Sequence, residues 1–311
     1  MTDNPQRDLL AAELAREAPP AVQALARELA GRAGAASCAV LYYGSALRGG
    51  ELDGILDFYV LLDDVRAWPG SLPARWANAL LPPNVGYIET TFGNQPLRAK
   101  FAVMSTAQFA RRVAADSCDT TIWARFCQPA VLVWSRSAAD QHAVVELIGH
   151  AVDAAARWAA RLGPRSGTAQ EFWRALFART YAAELRVEKQ ARALDIVGKA
   201  PERYAALLTT SWDRTGLHYS HDNGQLTPQI EPAARARARR GWAWRARFGR
   251  PLNIVRLLKA AFTFEGAMDY VAWKVERHSG VHVEVKPWQR RFPLLAAPGL
   301  YFKLRRLGAL K

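Results

Sequence analysis

The run Cys38-Ala39-Val40-Leu41-Tyr42-Tyr43-Gly44-Ser45, followed ten residues on by Ile55-Leu56-Asp57-Phe58-Tyr59-Val60-Leu61-Leu62, decides the fold. Both runs are short, nearly continuous in apolar side chains and rich in β-branched and aromatic residues. That pattern reads as two strands buried on both faces. The first stops at Gly44-Ser45. The second carries one ionisable residue, Asp57, and a carboxylate is costly to bury in so apolar a strand unless it has partners.

Upstream, Leu9, Leu10, Leu14, Val22, Leu25 and Leu29 recur at helical spacing, broken at Pro19-Pro20 and ended by Gly31 and Gly34. Downstream, 72–80 reads as a short helix stopped by Pro82-Pro83, while 85–92 and 97–104 flank Gly93-Asn94-Gln95-Pro96 as a hairpin. A further strand is expected at 131–133. Beyond Ser137 the periodicity is helical over 138–162, 169–188 and 201–212, and 216–232 reads as a loop. Helical stretches at 233–247, 252–264, 267–278 and 299–307 complete the chain. The expected class is α/β in its α+β form. A mixed sheet with flanking helices occupies 1–135, a helical second domain 136–230, and a basic helical tail 231–311.

Composition narrows the possible functions. The chain has 311 residues and is half apolar, which excludes a mainly disordered polymer. Its net charge of +14 is uneven: residues 1–230 carry 24 basic and 23 acidic side chains, and 231–311 carry 18 and 5. A near-neutral body with a basic end points to a module that meets a polyanion, either nucleic acid or an anionic membrane. Cys38, Cys118 and Cys127 form no CxxC pair and read as small core residues in a reducing compartment. No signal sequence is visible, and no apolar run approaches the roughly 18 residues of a membrane span. A cytoplasmic protein with peripheral membrane contact is the expectation.

The chemistry centres on Gly44, Ser45 and Asp57. A strand that ends in Gly-Ser and turns into a helix start offers backbone N–H groups and a hydroxyl to a phosphate chain, with no side chain in the way at the glycine. An acid in the next strand can hold the Mg²⁺ that neutralises those phosphates. This is the arrangement of polymerase-β-type nucleotidyltransferases, whose strand carries Asp-x-Asp. Here the residues sharing a face with Asp57 are Ile55 and Tyr59, which bind no metal. Asp63 has the same parity but lies roughly 20 Å along the strand. It reads, with Asp64, as the cap of a turn. Glu89 in the next strand is the nominee for a second metal ligand, against the plainer reading of an outward-facing strand glutamate. His218 and His221, near Asp222, have a spacing that suits zinc but lack further ligands in the sequence.

The chain resembles the mitochondrial-type phosphatidate cytidylyltransferases, the peripheral CDP-diacylglycerol synthases. The resemblance is carried by Tyr43-Gly44-Ser45 and by Ile55-Leu56-Asp57-Phe58 running into Asp63-Asp64 and Ala67-Trp68. It continues at Arg98-Ala99-Lys100-Phe101, Arg125-Phe126-Cys127-Gln128-Pro129, Tyr181 to Arg186, and around Lys199. The family implies a nucleotidyltransferase sheet, a helical, winged-helix-like second domain, Mg²⁺, CTP and phosphatidic acid. It implies that Tyr43, Gly44 and Ser45 cradle the triphosphate and that Asp57 holds Mg²⁺. Lys100 meets a phosphate, and Arg186 and Lys199 complete nucleotide binding. Two departures stand out: Ala46 follows the serine where the family has glycine, and Ala182-Ala183-Glu184 replaces Ser-Gly-Asp.

A phosphate acceptor also suits the single acid. A sugar hydroxyl must be deprotonated before it attacks, one task of a second metal and a second carboxylate. A phosphomonoester has a second pKa of about 6 and is already a dianion at neutral pH. It needs charge neutralisation more than a base. The alternatives are a nucleotidyltransferase acting on RNA, protein or a small molecule, and a non-catalytic nucleic-acid-binding module.

The tail favours lipid over nucleic acid, and no nucleic-acid partner is expected. Ile254, Leu257, Leu258 and Ala261 form a stripe opposite Arg256 and Lys259. Leu300, Leu304 and Leu307 form another, bordered by Lys303, Arg305 and Arg306. The expectation is that helices over 254–278 pack on the body and that 299–307 docks on the inner face of an anionic membrane.

Overall fold

The computed structural model describes residues 4–49, 52, 54–183, 196–280, 282–292, 295–296 and 299. The two deciding runs are strands, β1 (Ser37–Tyr43) and β2 (Ile55–Leu62). The expected hairpin is β3 (Asn84–Phe92) and β4 (Gln95–Ser105), joined at Gly93-Asn94, and β5 is Ala130–Ser135. They form one mixed sheet in the order β3-β4-β2-β1-β5. β2 and β4 run parallel, and the other neighbours are antiparallel.

Alternation within β1 and β2 explains why both runs are apolar throughout. Val40, Tyr42, Leu56, Phe58, Val60 and Leu62 face a core built with helix α2 (Pro20–Gly31). Ala39, Leu41, Tyr59 and Leu61 face the opposite core, built with α1 (Pro5–Leu14), α4 (Thr106–Val113), α5 (Thr121–Phe126) and α6 (Ala138–Leu162). Each strand is thus sandwiched, as a near-continuous apolar run requires. α3 (Leu72–Leu80) follows β2, and its Asn78 is buried against the sheet.

The second core continues without a break into α7 (Ala169–Ala183), α8 (Pro201–Arg214) and Trp242 of α9 (Pro232–Thr263). A boundary at 135/136 therefore does not divide two cores. A buried ion pair crosses it: Arg203 of α8 binds Glu13 of α1 and donates to Cys127 O at 3.0 Å.

Three features differ from expectation. Residues 216–232 contain a hairpin, β6 (Tyr219–Asp222) and β7 (Gln225–Pro228), turned at Asn223 and Gly224, both at positive φ. Its strands are mostly exposed, so no apolar alternation announced them; only the Asn-Gly pair did. The helices expected at 233–247 and 252–264 are one helix, α9, which runs through Pro251. Pro251 is exposed, so water can reach the carbonyl that loses its partner there. Cys118 is exposed, whereas Cys38 and Cys127 are buried, and all three are free. After α9, α10 (Ala267–Ser279) and the short α11 (Pro287–Arg291) follow. The expected stripe of Leu300, Leu304 and Leu307 lies outside the described residues, as do Glu184 and Arg186.

The basic tail is part of the body as far as α10. Tyr87 N donates to Glu265 O at 2.8 Å, so the segment after α9 pairs with edge strand β3, and Arg32 of the body holds Glu265 at 2.6 Å. Among the described residues no helix is long and apolar enough to cross a membrane.

Candidate active site

The sheet register assembles the site. Tyr43 of β1 stands opposite Asp57 of β2, Asp57 beside Lys100 of β4, and Lys100 opposite Tyr87 of β3. One row across three strands thus brings Tyr43, Asp57 and Lys100 to one face. That is the face of Tyr59, toward α5 and α9. A cavity of about 630 Å³ opens there.

Gly44 is shaped for its neighbour. It has φ +99°, and a Cβ built on it would stand 2.7 Å from Asp57 Oδ2. Only glycine both tolerates that backbone and lets the carboxylate lie over it. Ser45 follows, exposed, at the mouth. The chain then makes a single 3₁₀ turn, Ala46–Arg48, which ends at Gly49 in the left-handed region. The expected helix start is therefore one turn, too short for the dipole of a full helix, and cationic side chains must supply most of the attraction for an anion.

Those cations converge from three elements. Among the described residues the charged side chains lining the cavity are Asp57, Lys100, Arg125, Arg256 and Lys259. Arg125 of α5 lies over the rings of Tyr43 and Tyr59, 5.4 and 5.9 Å from their centroids, and donates to Tyr59 Oη at 3.0 Å. Arg256 of α9 is held by buried Asp119, which also binds Arg112 and accepts from Thr121 N at the start of α5. The two guanidiniums and the Thr121 hydroxyl overcome burial and hold the Asp119 carboxyl well below the usual range. Lys259 donates to Leu81 O at 2.7 Å and Pro83 O at 2.5 Å. Burial, with Arg256 and Arg112 nearby, lowers its pKa to about 8. An ammonium that is partly desolvated and repelled by neighbouring cations is primed to gain from a bound anion.

The expected site residues divide. Tyr43, Gly44, Ser45, Asp57 and Lys100 meet at the cavity, and Tyr181 of α7 lines it too. Glu89 does not. It sits opposite Arg98, two register steps from Lys100, ion-paired to Arg98 at 2.9 Å and accepting from Tyr87 Oη at 3.3 Å. Two strand spacings and two residues of rise put it about 12 Å from Asp57, too far for one ion. Glu89 is a ladder partner of Arg98, and it is not part of the cavity wall that Asp57 lines. Lys199 is exposed and is not part of the cavity wall, and Arg186 lies outside the described residues. Asp64 caps the 3₁₀ turn Val65–Ala67, and Asp63 pairs with Arg136, so both acids have structural work. His221 and Asp222 are exposed on β6, and among the described residues no three of His, Cys, Asp and Glu gather as a metal site would need.

Arg256, Lys259 and Asn253 were not anticipated. They recur every three residues on α9, so the sequence displays a polar face, but nothing local says that it turns toward the sheet. The chain matches no family model and no curated protein.

Asp57 suits a magnesium ion that arrives with a nucleotide. Mg²⁺ is usually held by one or two carboxylates together with substrate phosphates. Gly44 has no Cβ to displace Asp57 Oδ2, and Asp57 lines the cavity, where substrate phosphates would complete the coordination.

Proposed function

We propose that this cavity is the site of a cytidylyltransferase that joins CTP and phosphatidic acid into CDP-diacylglycerol and releases pyrophosphate. One observation carries the reading: among the described residues one carboxylate faces four cations around the cavity. A triphosphate and a phosphomonoester are both polyanions. Bringing them together demands neutralisation, and neither needs a protein base to become reactive at neutral pH.

In this reading Gly44 and Ser45 meet the triphosphate, and Lys100 and Arg125 neutralise it. Arg256 and Lys259 on α9 hold the acceptor phosphate. An oxygen of that phosphate attacks the α-phosphorus in line, a new P–O bond forms, and the bond to the β-phosphate oxygen breaks to free pyrophosphate. Mg²⁺ held by Asp57 would supply charge neutralisation on the departing phosphates. The protein's own contribution is to align attacker and leaving group and to keep their charges compensated. The acceptor is a lipid, so the proposal includes a peripheral position on the inner face of a membrane.

The test is incubation of the full chain with labelled CTP, Mg²⁺ and phosphatidic acid, with Asp57→Asn as control. Labelled CDP-diacylglycerol from the wild type and not from the variant supports the reading. Incorporation of CMP into RNA with no lipid product overturns it.

A further inference from the structure

Helix α3 carries an apolar ridge that the fold leaves uncovered. Its inner side holds Asn78, whose Nδ2 donates to Val103 O at 3.1 Å. Leu72, Trp76 and Leu80 lie on the other side, four residues apart, and are 69, 69 and 80 % exposed. Side chains at that spacing stack into one ridge. Contiguous exposed apolar surface of this kind marks a contact surface more often than chance.

Helix α9 carries a second ridge. Trp244, Phe248, Val255, Leu258 and Phe262 are all at least half exposed. Their steps of four, seven, three and four residues keep them on one stripe about 27 Å long. The two helices are fastened together, because Lys259 of α9 donates to the carbonyls of Leu81 and Pro83 just past the end of α3. Pro83 and Lys259 also line the cavity, so both helices adjoin its rim.

We infer that α3 and α9 form one docking face for an anionic lipid surface, with Leu72, Trp76 and Leu80 as a membrane contact in their own right beside the basic helix. This inference rests on the reading of the cavity as one that serves a lipid phosphate. Charge selects the occupant. Residues 232–263 contain nine cationic side chains and no acid. Arg235, Arg245, Arg256 and Lys259 donate inward to the body. Arg237, Arg240 and Arg247 are exposed on the side of α9 that carries Trp244. Arginine and tryptophan at one level suit the headgroup layer, and leucine and phenylalanine suit the acyl boundary below it. A second copy of the chain on the same face would set those arginines against their equivalents.

The experiment is flotation of the full chain with phosphatidylcholine vesicles, with and without phosphatidylglycerol, beside a combined Leu72→Ser, Trp76→Ser, Leu80→Ser variant and Trp76→Ala alone. Wild type should float with the anionic vesicles. The triple variant should lose about tenfold or more of its binding, Trp76→Ala less, with circular dichroism unchanged because all three side chains are exposed. Turnover of a short-chain phosphatidate dissolved as monomer should be equal in variant and wild type, while turnover of vesicle-borne phosphatidate falls with binding. Flotation of the triple variant equal to wild type overturns the inference. So does wild type binding both vesicles alike, or a wild-type dimer that the triple variant converts to monomer. Loss of flotation in a protein whose wild type turns over neither phosphatidate upholds the docking face while the proposed reaction falls.

Discussion

Asp57 Oδ2 stands 2.7 Å from the point where a Cβ on Gly44 would sit. The glycine and the carboxylate occupy one volume, so the turn after β1 and the acid of β2 are a single device. Gly44→Ala adds strain at φ +99°, costing about 1–2 kcal/mol of stability, and drives the carboxylate off its line. A displacement of about 1 Å at a reacting centre costs about 10²-fold in rate. The proposed nucleotidyl transfer should fall by about that factor in Gly44→Ala, with a modest drop in thermal midpoint. Asp57→Asn, which fits the same space without straining the Gly44 turn, should lose transfer outright. Paired activity and melting measurements separate the two effects.

Arg125 is placed by its plane as well as its charge. It lies over two tyrosine rings and donates to Tyr59 Oη. Lysine keeps the charge but neither stacks as a plane nor holds the fork geometry. In the proposed reaction, Arg125→Lys should lower kcat/KM for CTP by about tenfold, through KM more than kcat, as loss of binding shared by ground and transition state requires. Steady-state kinetics with varied CTP measures the split.

Much of this site was legible in the sequence, for a physical reason. Periodicity is local, so the apolar runs around Tyr43 and Asp57 announced both strands, and the glycine at the end of the first announced the turn. Register is not local. The strand that holds Glu89 is legible from its own residues, but its opposite number, Arg98, is fixed by how β3 pairs with β4. Arg256 and Lys259 were visible as the polar side of an amphipathic helix. That side turns inward here because Asp119, 137 residues away in sequence, is buried beneath Arg256, and the apolar side that sequence logic buries is left outside. The exposed Trp76 ridge follows the same rule, since no single helix records which of its faces finds a partner.

Lys259 gives the site a pH dependence. Its pKa is lowered to about 8, and only the protonated form attracts a phosphate. Anion affinity should therefore be full below pH 8 and fall as pH rises through that value. Lys259→Arg, charged at every accessible pH, should move the fall to higher pH, and Lys259→Met should remove the step and bind weakly throughout. Titration of inorganic pyrophosphate binding by calorimetry across pH 7 to 10 shows which holds, in the window set by about 8 here and about 10.4 for an ordinary lysine.

Asp119 ties α4, α5 and α9 together through Arg112, Thr121 and Arg256. Asp119→Asn keeps the shape and strips the charge, leaving two largely buried guanidiniums without a counter-ion. Breaking a buried pair from one side costs about 3–5 kcal/mol, and denaturant unfolding should register that loss at neutral pH. The sign with pH follows from the depressed carboxyl. The folded form binds its proton less readily than the unfolded one, so the stabilisation is complete above the ordinary aspartate range. It drains away as pH falls through that range toward the folded value. The gap between wild type and Asp119→Asn should therefore be widest near neutrality and close progressively below about pH 4. A gap that stayed constant into acid would mean that Asp119 acts by shape and hydrogen bonding alone. Because Arg256 lines the cavity, the same variant should weaken pyrophosphate binding even where the protein remains folded.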